Sequence, residues 1–121
     1  MSTKGHLLIV EDDFDIRDTL AQILEEEGYH VAGASNGQEA LELLQGGDAP
    51  CLILLDLMMP IMNGWQFRAE QLKDPRFSAI PVVVISADAA VHEKVGSLGA
   101  VAVMKKPIQL ERLLELVGQY C

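Results

Sequence analysis

The sequence predicts a doubly wound α/β domain, and three observations predict it. Unbroken apolar runs at residues 7–10, 52–55, 82–85 and 101–104 punctuate a chain of 121 residues. Between these runs the apolar period lengthens to that of a helix. The runs lead into polar residues suited to chemistry: Glu11, Asp12 and Asp13 after the first, Asp56 after the second, Ser86 after the third, Lys106 just past the fourth. Wholly apolar runs suit strands covered on both faces, which parallel sheets require. With a fifth, weaker strand, the alternation gives five strands and five helices, stacked as an α/β sandwich with helices on both faces of one sheet.

Each element has its own signal. After the first strand, Ile16, Leu20, Ile23 and Leu24 form one helical stripe, and Gly28 supplies a stop. Residues 29–34 are the weaker strand, placed nearer an edge. Asn36 with Glu39 reads as a capping box, opening a helix through Leu41 and Leu44 to Gly46-Gly47. A third helix follows Gly64 and ends before Pro75. Pro81 opens the next strand, and a fourth helix around residues 91–98 stops at Gly99. Leu110, Leu113, Leu114 and Val117 mark the last helix by their i, i+3, i+4, i+7 spacing.

Composition narrows the function. Half the residues are apolar, which predicts a single packed domain over residues 1–121 rather than disorder. Aromatic residues are only 5%, so aliphatic side chains must fill the core. A net charge of −9 repels phosphate backbones and disfavours nucleic acid as a partner. The first apolar stretch is too short for a signal peptide or a membrane span, so a soluble cytoplasmic protein without membrane insertion is expected. Cys51 and Cys121 lack metal-type spacing and read as free thiols of a reducing cytosol, a disulfide being the alternative.

In doubly wound sheets, ligands bind beyond the carboxyl ends of the strands. Parallel strands in register would therefore gather Glu11, Asp12, Asp13, Asp56, Ser86 and Lys106 in one crevice. Several carboxylates so close repel one another, and a hard divalent cation such as magnesium relieves the repulsion. Such an ion can also hold a phosphoryl oxygen. Asp56 is then the nucleophile, giving an acyl phosphate, while Lys106 and Ser86 meet the other phosphoryl oxygens. Any one acid here could merely cap a helix, a role that suits Asp12 or Asp13. The joint occurrence favours the site.

These residues resemble the receiver domains of two-component signalling. The shared motifs are Ile9-Val10-Glu11-Asp12-Asp13, the string from Leu54 through Asp56-Leu57-Met58-Met59-Pro60 to Gly64, Ile85-Ser86-Ala87, and Lys106-Pro107. The resemblance covers essentially the whole chain and implies a flavodoxin-like sheet of strand order 2-1-3-4-5. It makes Asp56 the phosphoacceptor and Asp12 a direct magnesium ligand. Glu11 would act on the metal through water, and the Met58 backbone carbonyl would complete the protein ligands. Asp13 is left as a supporting acid or cap. Of the two lysines, Lys106 matches the one in the family motif because it precedes Pro107, in a bond often cis in this family, and Lys105 is expected to be exposed. The implied function is a switch: phosphoryl transfer from a histidine kinase or phosphotransfer protein, signalling to an output partner, and slow reset by hydrolysis. The domain would act as monomer or weak homodimer.

Two departures stand out. Relatives usually carry Tyr, Phe or His where this chain has Val103, and the segment from Ser86 to Gly99 is about half a turn shorter than in many of them. Met58 and Asp88 occupy positions that tune acyl-phosphate hydrolysis in relatives. His6, His30 and His92 have no partner spacing for a metal or a catalytic dyad and are read as surface or satisfied histidines. Met59, Met62 and Met58 read as loop packing around Pro60, and Trp65 as helix packing that could report optically. A magnesium-dependent phosphohydrolase would use the same acids, but that class carries Asp-x-Asp after its first strand. A flavin carrier would need a Gly-, Ser- or Thr-rich phosphate loop where Glu11-Asp12-Asp13 stands. The chain ends at Cys121 with no effector domain after the last helix, which suits a stand-alone regulator or a piece of a longer protein.

Overall fold

Side-chain alternation along the inner strands decides which helix covers which face. The computed structural model describes residues 5–47, 49–87 and 98–121. Its strands are β1 (His6–Val10), β2 (His30–Ala34), β3 (Leu52–Asp56), β4 (Val82–Ser86) and β5 (Ala102–Lys105). The helices among the described residues are α1 (Phe14–Glu26), α2 (Gly37–Gly46), α3 (Gly64–Lys73) and α4 (Leu110–Tyr120). All strand pairs are parallel, in the order β2-β1-β3-β4-β5. Leu8, Val10, Ile53, Leu55, Val82 and Val84 point to one face and meet Ala40, Leu44 and Phe67 of α2 and α3. Leu7, Ile9, Leu52, Leu54, Val83 and Ile85 point to the other and meet Leu20 and Leu24 of α1 with Leu113, Leu116 and Val117 of α4. Each such fully buried aliphatic side chain contributes roughly 1.5–3 kcal/mol, so the three inner strands anchor the domain. β2 lies at an edge, as its mixed sequence predicts.

The helix ends follow their residues. Asp13 caps α1 by accepting from the backbone N–H groups of Asp15 (2.9 Å) and Ile16 (3.2 Å). Gly28, at φ 97°, ends it: its N–H donates to Glu25 and that of Tyr29 to Leu24, a Schellman arrangement open mainly to glycine. At α2 the Asn36 side chain accepts from Glu39 N–H, but Glu39 turns its carboxylate to Ser35 rather than to Asn36. The reciprocal box expected there occurs instead at α3, between Asn63 and Gln66. No helix among the described residues is long and apolar enough to cross a membrane.

Two further expectations change. Cys51 and Cys121 are joined as a disulfide across 70 residues, not held as free thiols. The sheet brings the residue before β3 beside the residue after α4, a proximity that spacing in the chain does not reveal. Met58 does not join the loop packing: it is exposed, while Met59 and Met62 lie against the core. The helix expected around residues 91–98 falls almost entirely outside the described residues, as do Asp88 and His92.

Candidate functional site

Strand register brings the predicted residues together. Val10 is level with Leu55, Asp56 with Ile85, Ile85 with Met104, and Ser86 with Lys105. Glu11, one step beyond Val10, therefore reaches the level of Asp56, and Lys106 lies two steps beyond it. Ligand atoms of Glu11, Asp12 and Asp56 all lie within 4.8 Å of one another. Lys106 Nζ donates to Glu11 Oε1 at 2.8 Å and stands 3.6 Å from Asp56 Oδ2. Asp56 Oδ1 also accepts from the Met58 N–H at 3.3 Å. Ser86 is buried at the end of β4, and its carbonyl accepts from Lys106 N–H at 3.0 Å. The Lys106-Pro107 bond is cis and Lys105 is exposed, both as expected.

The loop after Asp56 turns back only because Gly64 has no side chain. A Cβ there would stand 2.5 Å from the Asp56 carbonyl oxygen and 2.8 Å from Leu57 Cα. Backbone atoms cannot step aside as a flexible side chain could. Gly64→Ala should lower folding stability by about 1–3 kcal/mol in urea unfolding, with the β3–α3 loop shifted. Unchanged stability would mean the loop yields easily.

The acids share charge unevenly. Glu11 is 2% exposed and Asp56 4%, whereas Asp12 faces solvent. Burial, then the nearby Asp56 carboxyl, push the Glu11 carboxyl from 4.5 up to about 8, against the pull of Lys106. Burial pulls the Lys106 amine down, but the Glu11 hydrogen bond and the charges of Asp56 and Glu11 outweigh it and hold the amine above its usual value. Glu11 therefore keeps a proton in the folded chain that it loses in the unfolded chain between pH 4.5 and about 8. Stability from this group is full below 4.5 and is lost as pH rises through 8. In chelator, unfolding free energy should fall by on the order of 2 kcal/mol between pH 5 and pH 9, and Glu11→Gln should flatten that slope. A slope that survives in Glu11→Gln would assign it to another group.

The donor set fits a hard divalent cation. Glu11 Oε2 is buried without a hydrogen-bond partner, an orphaned oxygen of the kind a positive charge satisfies. With Glu11 protonated, Asp12 and Asp56 still set two carboxylates against one ammonium, and a cation that displaces the Glu11 proton gains a third oxygen, the ligand type magnesium prefers.

Against this geometry, comparison with known proteins is decisive. The family model described as "Response regulator receiver domain" matches residues 7–118. This chain belongs to that family. The receiver domain is 37% identical over 110 residues to the response regulator MprA of Mycolicibacterium vanbaalenii, covering 89% of this chain and 46% of that one. An uncharacterised 14.6 kDa protein of Leptolyngbya boryana is 35% identical over 117 residues, covering 95% and 88%. Among solved structures, the chemotaxis response regulator CheY4 of Vibrio cholerae superposes with TM-score 0.88 at 26% identity, covering 98% and 100%. The signal receiver domain of a histidine kinase from Syntrophus aciditrophicus gives TM-score 0.87 at 31% identity, covering 96% and 89%. The receiver domain thus spans about half the length of several curated relatives.

Sequence reasoning missed three features of the receiver domain. Arg68 and Gln71 of α3, which no motif in the sequence singles out, are both buried. Arg68 donates to the Leu98 carbonyl and to Gln71, and Gln71 donates to the carbonyls of Phe77 and Ile80. The weak apolar stripe of α3 was the available signal. Arg17, on α1, donates to the Glu11 carbonyl, which no spacing rule indicates.

Proposed function

We propose that this receiver domain accepts a phosphoryl group on Asp56 from a phosphohistidine of a histidine kinase or phosphotransfer protein. The observation that carries the reading is the group Glu11, Asp12, Asp56 and Lys106 at one strand-end crevice. Magnesium held by Asp12, Asp56, the Met58 carbonyl and, through water, Glu11 would offset carboxylate charge and steady a phosphoryl oxygen. An Asp56 oxygen attacks phosphorus as the phosphorus–nitrogen bond of the donor breaks, leaving an acyl phosphate and a histidine ring. Lys106 then exchanges its contact with Glu11 for a phosphoryl oxygen, and the Ser86 hydroxyl donates to another. Those moves shift the turn between β5 and α4, giving two states with different partner affinity. Val103 has no ring to reorient, so signalling rests on that turn. Water later attacks the acyl phosphate, releasing inorganic phosphate and restoring the Asp56 carboxylate, so the domain acts as a resettable signalling switch rather than a turnover enzyme.

The test is incubation with acetyl phosphate and magnesium followed by intact mass. One added phosphate, absent in chelator, is the expected result. Steady hydrolysis of many phosphoesters without a stable adduct would overturn the reading in favour of a phosphohydrolase.

A further inference from the structure

We infer that Arg17 is a positioning residue that braces the peptide joining the two acids after β1. This rests on the magnesium reading above and deepens it. Arg17 Nη1 donates to the Glu11 carbonyl oxygen at 2.6 Å. That carbonyl belongs to the peptide unit between Glu11 and Asp12, so its direction sets the path from one acid to the next. The peptide unit just before it is tied as well, since Glu11 N–H donates to the Ala34 carbonyl of β2 at 2.9 Å. Together the two bonds leave the turn little freedom.

The route of the side chain is itself built. The Arg17 stem crosses β2 over Gly33, where a Cβ would stand 3.0 Å from Arg17 Cδ. Its guanidinium lies 5.5 Å from the centre of the Phe14 ring, which limits its swing. Asp12, Asp13, Asp15 and Asp18 surround it in the chain, yet no Arg17–carboxylate contact within 4.0 Å occurs among the described residues. A guanidinium that donates to a backbone carbonyl, and to no carboxylate among the described residues, is serving geometry more than charge neutralisation.

The two effects of Arg17 on a cation oppose each other. Its positive charge repels magnesium, whereas its brace holds Glu11 and Asp12 ready. Outer-shell groups that orient ligands typically change metal affinity about 10–100-fold, while the half-buried Arg17 charge, outside the ligand set and partly screened by solvent, opposes the cation more weakly. The brace should win.

The experiment is magnesium titration of the full chain by calorimetry, without phosphoryl donor, on wild type, Arg17→Met, Arg17→Lys and Asp12→Asn, with thermal unfolding to confirm folding. Arg17→Met should weaken magnesium binding roughly tenfold, and Arg17→Lys, which can still donate to the carbonyl, should recover much of the loss. Unchanged or tighter binding in Arg17→Met, with Asp12→Asn weakened, would overturn the brace and leave the magnesium reading standing. A wild-type chain that binds no magnesium would overturn both.

Discussion

Asp56→Asn should abolish phosphoryl uptake, a fall of at least about a thousandfold, while the chain stays folded. The loss follows because an amide oxygen is not the anionic nucleophile that the transfer needs. The fold survives because asparagine keeps the size of the side chain and an oxygen able to accept the Met58 N–H, now accepted by Asp56 Oδ1. Removing one carboxylate also relieves its neighbour. Asp56 is one reason that the Glu11 carboxyl stands near 8, so without it Glu11 ionises more readily and pairs with Lys106 at the 2.8 Å contact already present. Stability should therefore stay within about 1 kcal/mol of wild type. Intact mass after acetyl phosphate treatment, with urea unfolding alongside, checks both halves. A phosphate adduct persisting in Asp56→Asn would move the acceptor to another side chain.

The fold was legible because burial on both faces writes itself into composition. The run Leu52-Ile53-Leu54-Leu55 has no polar member since α1 and α4 cover one side of β3 while α2 and α3 cover the other. Strand order was not legible from the residues; it came from likeness to a family. Asp56 and Lys106 were legible for a positional reason: a charged side chain at the end of a buried run has only the carboxyl edge of the sheet to occupy.

What stayed hidden depends on contacts between distant parts of the chain. Nothing near Arg17 announces that β2 offers it a path over Gly33. Asn36 and Asn63 begin similar capping patterns, and only the placement of Ser35 diverts Glu39 from closing the first box. That Lys106 meets Glu11 more closely than Asp56 follows from the exact turn after β5, which periodicity does not encode.

The disulfide carries the second large expected effect. Cys51 precedes β3 and Cys121 follows α4, their Cα atoms 5.5 Å apart. Gly5 makes room for the pair, since a Cβ there would stand 2.8 Å from Cys51 Sγ. Closing a loop of this length restricts the unfolded chain by about 4 kcal/mol in the chain-entropy account. For a domain of this size, reduction should then lower Tm by roughly 10–20 °C. Cys121→Ser should unfold at the temperature of reduced wild type and lose its response to dithiothreitol. The clasp sits at the amino-terminal edge of β3, whereas Asp56 ends the same strand at its carboxyl edge. Five residues of strand separate them by about 16 Å, far enough for independent effects. Reduction should therefore shift Tm while leaving the rate of phosphoryl uptake unchanged at temperatures well below unfolding. A parallel fall in that rate would show that α4 carries the state of the clasp to Lys106.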